Sequence, residues 1–482
     1  MPCGTRFLIV TIGTAVWWQP SLVRAAEGAQ AAAHAGPHLD GAELGILWTI
    51  PFAGILLSIA LFPLLAPAFW HHHFGKVSAG WAVAFLLPFG LIFGLDLALY
   101  EALHVALLEY FPFIILLLSL FTITGGLRVR TSLQGTPTFN TGLLALGTVL
   151  ASWMGTTGAA MLLIRPLLRA NAWRRRKVHV IVFFIFLVAN IGGSLTPLGD
   201  PPLFLGFLKG VHFFWTTTAM FWPMLLVASV LLVVFYGFDA LMMRRDGRAV
   251  PTEATGEPTF RLEGQINLLL LAGVVVAVLM SGVWRPGVEF TVYHVHIELQ
   301  NLCRDLILLA LAVTSWRITP KENRIANDFS WFPIVEVAKL FAGIFMTIIP
   351  AIAILRAGTD GALAPIIHVV NHQGEPVEAA YFWATGILSS FLDNAPTYLV
   401  FFNTAGGDAA MLMGPLHNTL LAISAGAVFM GANTYIGNAP NFMVRAIAEE
   451  SGVAMPSFFG YMAWSAVLLL PLFVLITLIF FV

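Results

Sequence analysis

The 482-residue chain is strongly apolar, since 59% of its residues are hydrophobic, 10% are charged and its mean hydropathy is +0.86. Soluble domains carry roughly a quarter charged residues, so this composition predicts an all-α polytopic membrane protein embedded in a lipid bilayer. A net charge of −1 without a basic or acidic tail excludes a nucleic-acid partner. Two cysteines, Cys3 and Cys303, exclude a disulfide framework and a cysteine-rich cluster, and we expect no cofactor.

The N-terminal segment 1–26 has the features of a signal peptide. Arg6 precedes an apolar run from Phe7 to Trp18, and small residues around Val23-Arg24-Ala25-Ala26 follow it. An uncleaved helix is the alternative. In both cases residues 27–43 are expected outside the cytoplasm, so the membrane topology of the remaining chain does not depend on the choice.

Ten apolar runs are long enough to cross the hydrocarbon core, which requires about 20 residues of helix. They are 44–70, 79–99, 103–127, 178–210, 218–243, 265–283, 299–316, 337–356, 412–445 and 457–482. Two further apolar segments, 138–169 and 379–404, are interrupted midway, at Gly155-Thr156-Thr157-Gly158 and at Asp393-Asn394-Ala395-Pro396. We predict that both are re-entrant hairpins.

The distribution of basic residues tests this topology. The predicted outside loops 211–217 and 357–378 contain no Lys or Arg. Cytoplasmic loops of membrane proteins are enriched in Lys and Arg, which is the positive-inside rule. The whole chain obeys this rule if hairpin 138–169 enters from the cytoplasmic side and hairpin 379–404 enters from the outer side. The predicted cytoplasmic cations are Arg128, Arg130, Arg165, Arg169, Arg174, Arg175, Arg176, Lys177, Arg244, Arg245, Arg248, Arg317, Lys321 and Arg324.

The chain therefore predicts two inverted repeats, 44–243 and 265–482, joined by a cytoplasmic linker over 244–264. Each repeat contains three helices, a hairpin, a discontinuous helix and a closing helix. The breaks in 178–210 and 412–445 align 238 positions apart, with Gly199 opposite Gly437 and Asp200 opposite Asn438. Gly199 and Gly437 are expected to supply permissive backbone dihedrals. Broken helices in corresponding halves of a membrane protein indicate a transporter's binding site. The sequence shows no alternating pattern that would predict a β-strand.

Asp393 is the first candidate for ion binding, because it lies between Leu392 and Asn394 in an apolar hairpin. A lone carboxylate at that depth is costly unless a cation or a proton compensates it, and alternation between Na+ and H+ would couple the two. Asp200 is the second candidate. For each aspartate, a helix cap at the break is the structural alternative.

Neutral oxygens near these carboxylates are candidate ligands, because hard cations prefer oxygen. Hydroxyl groups are weaker candidates, since Ser and Thr commonly bond back to their own helix. The neutral candidates are Asn394, Asn433, Asn438, Ser390, Ser194, Thr434, Thr156, Thr157 and Thr196. No metal beyond transported Na+ is expected.

The motifs resemble the ion transporter superfamily, which groups NhaD-type sodium:proton antiporters, arsenite-efflux permeases, and citrate and dicarboxylate carriers. The resemblance rests on Asn190-Ile191-Gly192-Gly193, Gly199-Asp200-Pro201-Pro202, Asp393-Asn394-Ala395-Pro396 and Gly431-Ala432-Asn433-Thr434, and it extends from about residue 44 to 482. It is strongest with the citrate-transporter-like members described as sodium:proton antiporters. It implies scaffold and transport domains, a homodimer, elevator-type alternating access and a location in the bacterial inner membrane.

The resulting functional hypothesis is a secondary transporter that exchanges Na+ for H+. Transport of citrate or another small organic anion, coupled to Na+ or H+, is the alternative, followed by arsenite-type efflux. The absence of Lys or Arg at the breaks favours a cation or a monovalent substrate over a multivalent anion. An intramembrane enzyme would need a nucleophile and base or a His-Glu-x-x-His ligand set, and the sequence contains neither.

Overall fold

The computed structural model describes Pro37, residues 39–247 and residues 260–482. Seven of its helical segments are long and apolar enough to cross a membrane, and an eighth is obtained if Phe332–Thr347 and Ile349–Arg356, bent by 42°, form one span. The protein is therefore a polytopic all-α membrane protein. The ten crossings and the inverted repeat stay predictions. The signal-peptide-like segment 1–26 lies outside the described residues.

The first half begins with two short 3-10 turns, Gly41–Glu43 and Ile46–Thr49, and continues as helices. A π-helical turn, Ala106–Tyr110, joins α3 to α4, and a 3-10 turn, Ile191–Leu195, follows α7. The helices are α1 Ile50–Leu65, α2 Pro67–Phe93, α3 Leu95–Val105, α4 Phe111–Thr124, α5 Pro137–Met154, α6 Thr156–Ala170, α7 Val178–Leu187, α8 Pro201–Leu208 and α9 Phe213–Asp246.

The second half follows the same order of long helices, helix pair and interrupted helix. Short 3-10 turns lie at Gly358–Asp360 and Gly431–Asn433. The helices are α10 Ile266–Val283, α11 Leu299–Ile318, α12 Lys321–Ala326, α13 Phe332–Thr347, α14 Ile349–Arg356, α15 Ala364–Val370, α16 Glu378–Phe391, α17 Asn394–Thr404, α18 Ala409–Met413, α19 His417–Met430, α20 Ala439–Glu450 and α21 Phe458–Phe480.

Two element boundaries differ from the expectation. The first two spans were predicted at 44–70 and 79–99, but α1 ends at Leu65 and α2 begins at Pro67. Pro67 occupies the first turn of α2, where the missing N–H removes no helix hydrogen bond. The histidines and lysine that follow Pro67 consequently extend α2 instead of forming a loop.

Three antiparallel ribbons correct the expectation that the chain lacks strands. β1 Arg128–Thr131 pairs with β2 Phe260–Glu263, which lies inside the predicted linker 244–264. β3 Glu289–Val292 pairs with β4 Val295–Glu298, and β5 Asn371–His372 pairs with β6 Glu375–Pro376. Ribbons of two to four residues are too short to show alternation in the sequence, which is why they were missed.

The two interrupted segments form helix pairs whose ends meet. The Gly135 N–H, just before α5, donates to the carbonyl of Ala170 at the end of α6, at 2.8 Å. In the second pair, Tyr381 near the start of α16 contacts Phe401 near the end of α17, with ring centroids 6.3 Å apart. Each pair therefore enters and leaves at one end, and its tip lies at the other.

The helices pack as two groups. α1 to α4 pack with α10, α11 and α13, whereas α5 to α9 pack with α16, α17 and α19 to α21. The second group contains the helix-pair tips and the breaks in both interrupted helices. Lys209 at the end of α8 forms a partly buried ion pair with Glu109 in the π-helical turn, and this pair connects the two groups.

A buried charged network fixes the base of the first helix pair. Asp239 on α9 is fully buried and lies 2.6 Å from Arg174 Nη1 and 2.7 Å from His179 Nε2. Asn140 Nδ2 on α5 donates to the second carboxylate oxygen at 3.0 Å. Removing one partner from such a pair leaves an uncompensated buried charge, so this network should contribute strongly to stability.

We predict that Asp239→Asn destabilises the folded protein by about 3–5 kcal/mol, because it removes the nearer countercharge of the buried Arg174, at 2.6 Å, and leaves only Asp246 at 4.0 Å among the described residues. Thermal unfolding of the purified protein in detergent measures the effect. The matched control is Asp328→Asn, because Asp328 pairs with Arg165 but its side chain is 76% exposed, and it should cost about 0–1 kcal/mol. Equal melting temperatures for the two variants would contradict the prediction.

Candidate functional site

The two interrupted helices are held by the same hydrogen bonds, repeated 238 positions apart. In each half, a serine of the helix pair donates to a carbonyl of the interrupted helix, and a threonine of the interrupted helix donates back to the serine's carbonyl. The bonds are Ser152 to Gly192 and Thr196 to Ser152 in the first half, and Ser390 to Met430 and Thr434 to Ser390 in the second.

These bonds assign three predicted hydroxyl candidates, Ser390, Thr196 and Thr434, to backbone groups. The Thr196 and Thr434 side chains each also accept from the N–H two residues later, at 3.2 Å. Ser194 Oγ donates to the carbonyl of Ile191 at 2.8 Å, and Thr157 lies half-buried in the first turn of α6. Most of these hydroxyls thus satisfy backbone groups that the breaks would leave unpaired, which is costly in hydrocarbon.

Glycine is required at the breaks for close approach. A Cβ at Gly199 would overlap the carbonyl of Gly193, and one at Gly437 would lie 2.6 Å from the carbonyl oxygen of Gly431. Neither Gly199 nor Gly437 has a positive φ, so the expected reason for these glycines was wrong. The positive φ occurs at Gly155, where φ is +80° at the tip of the first helix pair.

Asp200 occupies the centre of the site. It is 1% exposed and takes the N-cap position of α8, but its side chain makes no cap hydrogen bond. Its carboxylate accepts from Asn394 Nδ2 at 2.6 Å, from Asn438 Nδ2 at 3.1 Å and from Thr156 Oγ1 at 3.2 Å. The three donors come from both helix pairs and from the second interrupted helix, so this carboxylate joins the two halves.

Two further asparagines support this centre. Asn190 Oδ1 accepts from Asn438 at 3.3 Å, and Asn190 Nδ2 donates to Asn441 Oδ1 at 2.6 Å. Asn441 Nδ2 in turn donates to the carbonyls of Gly431 and Thr434, at 2.8 and 2.9 Å. Neither residue was among the predicted ligands. Asn441 follows Asn438 by one helical turn within an apolar run, and that spacing is the available signal.

Two amide oxygens near the breaks are buried without a hydrogen-bond partner among the described residues: Asn394 Oδ1 and Asn433 Oδ1. The orientation of each amide follows from its other contact. Asn394 directs its nitrogen at the Asp200 carboxylate, and Asn433 Nδ2 donates to Ser390 Oγ at 2.9 Å. A buried carbonyl oxygen without a donor is suited to a hard cation.

Asp393 differs from Asp200 in both burial and bonding. It is the N-cap of α17, where its carboxylate accepts from the Ala395 N–H at 3.0 Å, and it is half-buried. Its neighbour Asn394 contacts Asp200, so both carboxylates belong to one region. Because Asp200 is buried and bonded to both halves, the geometry favours Asp200 over Asp393 as the first candidate for ion binding.

Four helices begin at this region: α6, α8, α17 and α20. Their N-caps are Gly155, Asp200, Asp393 and Asn438. The N-terminus of a helix carries a partial positive charge, which stabilises an anion nearby. The arrangement can therefore stabilise the ionised Asp200, or the carboxylate of a bound anion.

Comparison with known proteins identifies similarity over nearly the whole described chain. A family model described as "Putative citrate transport" matches residues 41–481. A protein of Synechocystis sp. named as an uncharacterized transporter is 25% identical over 299 residues, which cover 57% of this chain and 62% of that protein. The match thus spans less than two thirds of that relative's length.

We predict that the threonine that holds the second break contributes to stability through its hydroxyl. Thr434→Val should cost about 1–3 kcal/mol, because the Ser390 carbonyl loses its buried donor. The measurement is thermal unfolding in detergent, and Thr434→Ser, which keeps the hydroxyl, is the control. A valine variant as stable as the serine variant would show that the bond does not hold the break.

Proposed function

Because the chain belongs to the citrate-transport family, a family of membrane transporters, we propose that it is a secondary active transporter that exchanges Na+ for H+. Asp200 is the carboxylate that binds the two ions in turn. The family and the all-α membrane fold are those of a transporter rather than an enzyme. The choice of ions and of the residue that binds them rests on the Asp200 site.

The observation that supports this proposal is the environment of Asp200. A carboxylate that is 1% exposed is bonded to two amides and a hydroxyl, and none of these three partners is cationic. A buried charge of this kind is costly until a counter-ion or a proton neutralises it. Because one carboxylate cannot hold both at full occupancy, binding of Na+ displaces H+, and this competition couples the two fluxes.

The neighbouring side chains can serve each occupied state. With the carboxylate ionised, Asn394 and Asn438 donate their N–H groups across the contacts of 2.6 and 3.1 Å that they make with it. With Na+ bound, rotation of these amides would present Oδ1 instead, and Thr156 Oγ1 would offer a lone pair. Occupancy of Asp200 would thus alter contacts with both helix pairs, which provides a physical link between ion binding and movement of the two halves.

We predict that Asp200→Asn abolishes Na+-dependent collapse of a preformed pH gradient in proteoliposomes, because an amide neither exchanges a proton nor carries the charge that binds Na+. Asp393→Asn should leave exchange measurable with an altered Na+ concentration dependence, since Asp393 caps α17 at the edge of the site. Asp328→Asn, at an exposed carboxylate, is the control. Wild-type exchange by Asp200→Asn would overturn the proposed coupling residue.

Coupled transport of citrate or a similar organic anion is the second candidate function. The four helix N-termini around Asp200 favour this function, because their partial positive charge can bind a substrate carboxylate. They could take the place of a basic side chain, since the side chains that donate to Asp200 are two asparagines and a threonine. In that function Asp200 would hold the coupling cation. Arsenite-type efflux has no comparable support from the site.

Uptake of labelled citrate into the same proteoliposomes separates the two functions. An antiporter should collapse the pH gradient with Na+ alone and should accumulate no citrate. A symporter should accumulate citrate only with a Na+ or H+ gradient, and Asp200→Asn should remove the dependence on that gradient. Citrate uptake without any cation gradient would contradict both coupling schemes.

A further inference from the structure

We propose that a groove between α7, α9 and α21 binds one anionic phospholipid, with an acyl chain in the groove and the phosphate at a rim of basic side chains. This groove, the α9 groove, is separate from the Asp200 site. The basic rim consists of Arg175, Lys177, Arg244 and Arg245.

The α9 groove is an apolar cavity of about 470 Å³. Aromatic rings form part of its wall, since Phe238 on α9 and Trp464 on α21 pack edge to face with centroids 5.7 Å apart. Its wall includes Phe183, Val234, Phe238, Ala463, Trp464 and Val467. α9 and α21 both belong to candidate membrane spans, and Ala463 and Val467 are exposed, so the groove opens toward the surrounding hydrocarbon.

The basic rim lies at one end of this groove. Val234, Phe238 and Arg245 are separated by four and seven residues, which places them on one face of α9. With a rise of about 1.5 Å per residue, Arg245 lies about 10 Å beyond Phe238 along the helix. A lipid whose chain contacts Phe238 would therefore have its phosphate near Arg245.

The segment before α7 brings further cations to the same end. The Arg176 N–H donates to Asp246 Oδ2 at 3.3 Å, which fixes this segment against the end of α9. Lys177 is the N-cap of α7, the helix that supplies Phe183 to the groove. The carboxylates that the structure describes here pair with other cations: Asp246 lies 4.0 Å from Arg174 and 3.8 Å from Arg176, and Asp239 lies 2.6 Å from Arg174.

Among the residues that the structure describes, no carboxylate pairs with the basic rim. Arg175, Arg244 and Arg245 are exposed, Lys177 is half-buried, and none of the four forms an ion pair with a residue that the structure describes. Basic residues concentrate at the cytoplasmic edge of membrane proteins, and basic pockets between membrane helices bind anionic headgroups there. An apolar groove with Arg245 and Lys177 at one end, and with Arg244 and Arg175 close to them in sequence, therefore matches the two parts of an anionic phospholipid.

A second copy of the chain is a poorer occupant of this surface. A twofold interface would place the same patch of each copy against the other. The four cations of one rim would then face or border the four of its partner, and the like charges would repel. A phospholipid supplies the opposite charge and the apolar chain together.

Native mass spectrometry of the full-length protein in detergent tests this proposal with phosphatidylglycerol and phosphatidylcholine as probes. We expect wild type to retain phosphatidylglycerol preferentially. Arg245→Gln should weaken phosphatidylglycerol binding about fivefold and leave phosphatidylcholine unchanged, because it removes one headgroup charge. Ala463→Phe should weaken both lipids, because the ring fills the groove.

Each variant has a matched control. Arg317→Gln removes an exposed arginine from the last turn of α11, away from the groove, and Ala466→Phe adds a ring to an exposed position of α21 that does not line it. Both controls should bind as wild type does. If Arg245→Gln fails to fold, Lys177→Gln replaces it.

Equal retention of the two lipids by wild type, or unchanged phosphatidylglycerol binding in Arg245→Gln or its replacement, would overturn the headgroup assignment. Unchanged binding in Ala463→Phe would overturn the assignment of the acyl chain to this groove. A dimer in lipid-free detergent that Ala463→Phe converts to a monomer would assign the surface to a second copy and overturn the proposal.

Discussion

An unpaired backbone amide in hydrocarbon costs several kcal/mol, and the whole centre of this protein is arranged around that constraint. Interrupted helices at membrane depth expose such groups, and each half satisfies some of them in the same way, through a serine on the helix pair and a threonine on the interrupted helix. The bonds join segments that are about 40 residues apart in sequence. Because both breaks are fixed in this manner, side chains from four helix N-termini can converge on one site.

The proposed ion site depends on a difference between the two halves of the chain. Aligned positions carry Asp200 in the first half and Asn438 in the second, and the two side chains meet at 3.1 Å. Two aspartates at this distance would repel each other without a bound cation, whereas Asp and Asn form a charge-assisted hydrogen bond. One buried carboxylate, held by neutral donors, is a site that a single cation or proton can neutralise.

Outside the Asp200 site, two groups of charged side chains lie near the C-terminal end of α9. The Arg174, His179 and Asp239 network is buried at the base of the first helix pair, and the His179 ring packs against Phe238, a wall residue of the α9 groove. The same end of α9 thus carries a buried network with paired charges and a basic rim without an ion pair among the described residues. We predict that the network stabilises the helix pair, and we propose that the rim binds the lipid headgroup.

The sequence by itself determined the membrane class, the positions of both interruptions and the residues around them, because bilayer thickness dictates run length and polar residues inside an apolar run are conspicuous. It also placed Asp200, Asn394 and Asn438 among the candidates. Only the tertiary structure decided that Asp200 is buried against both halves while Asp393 caps α17, since its contacts join positions 194 and 238 residues apart. For the same reason the contacts of Asn190 with Asn438 and Asn441, the pairing of β1 with β2 and the α9 groove could not be predicted, because each exists only once distant segments have packed together.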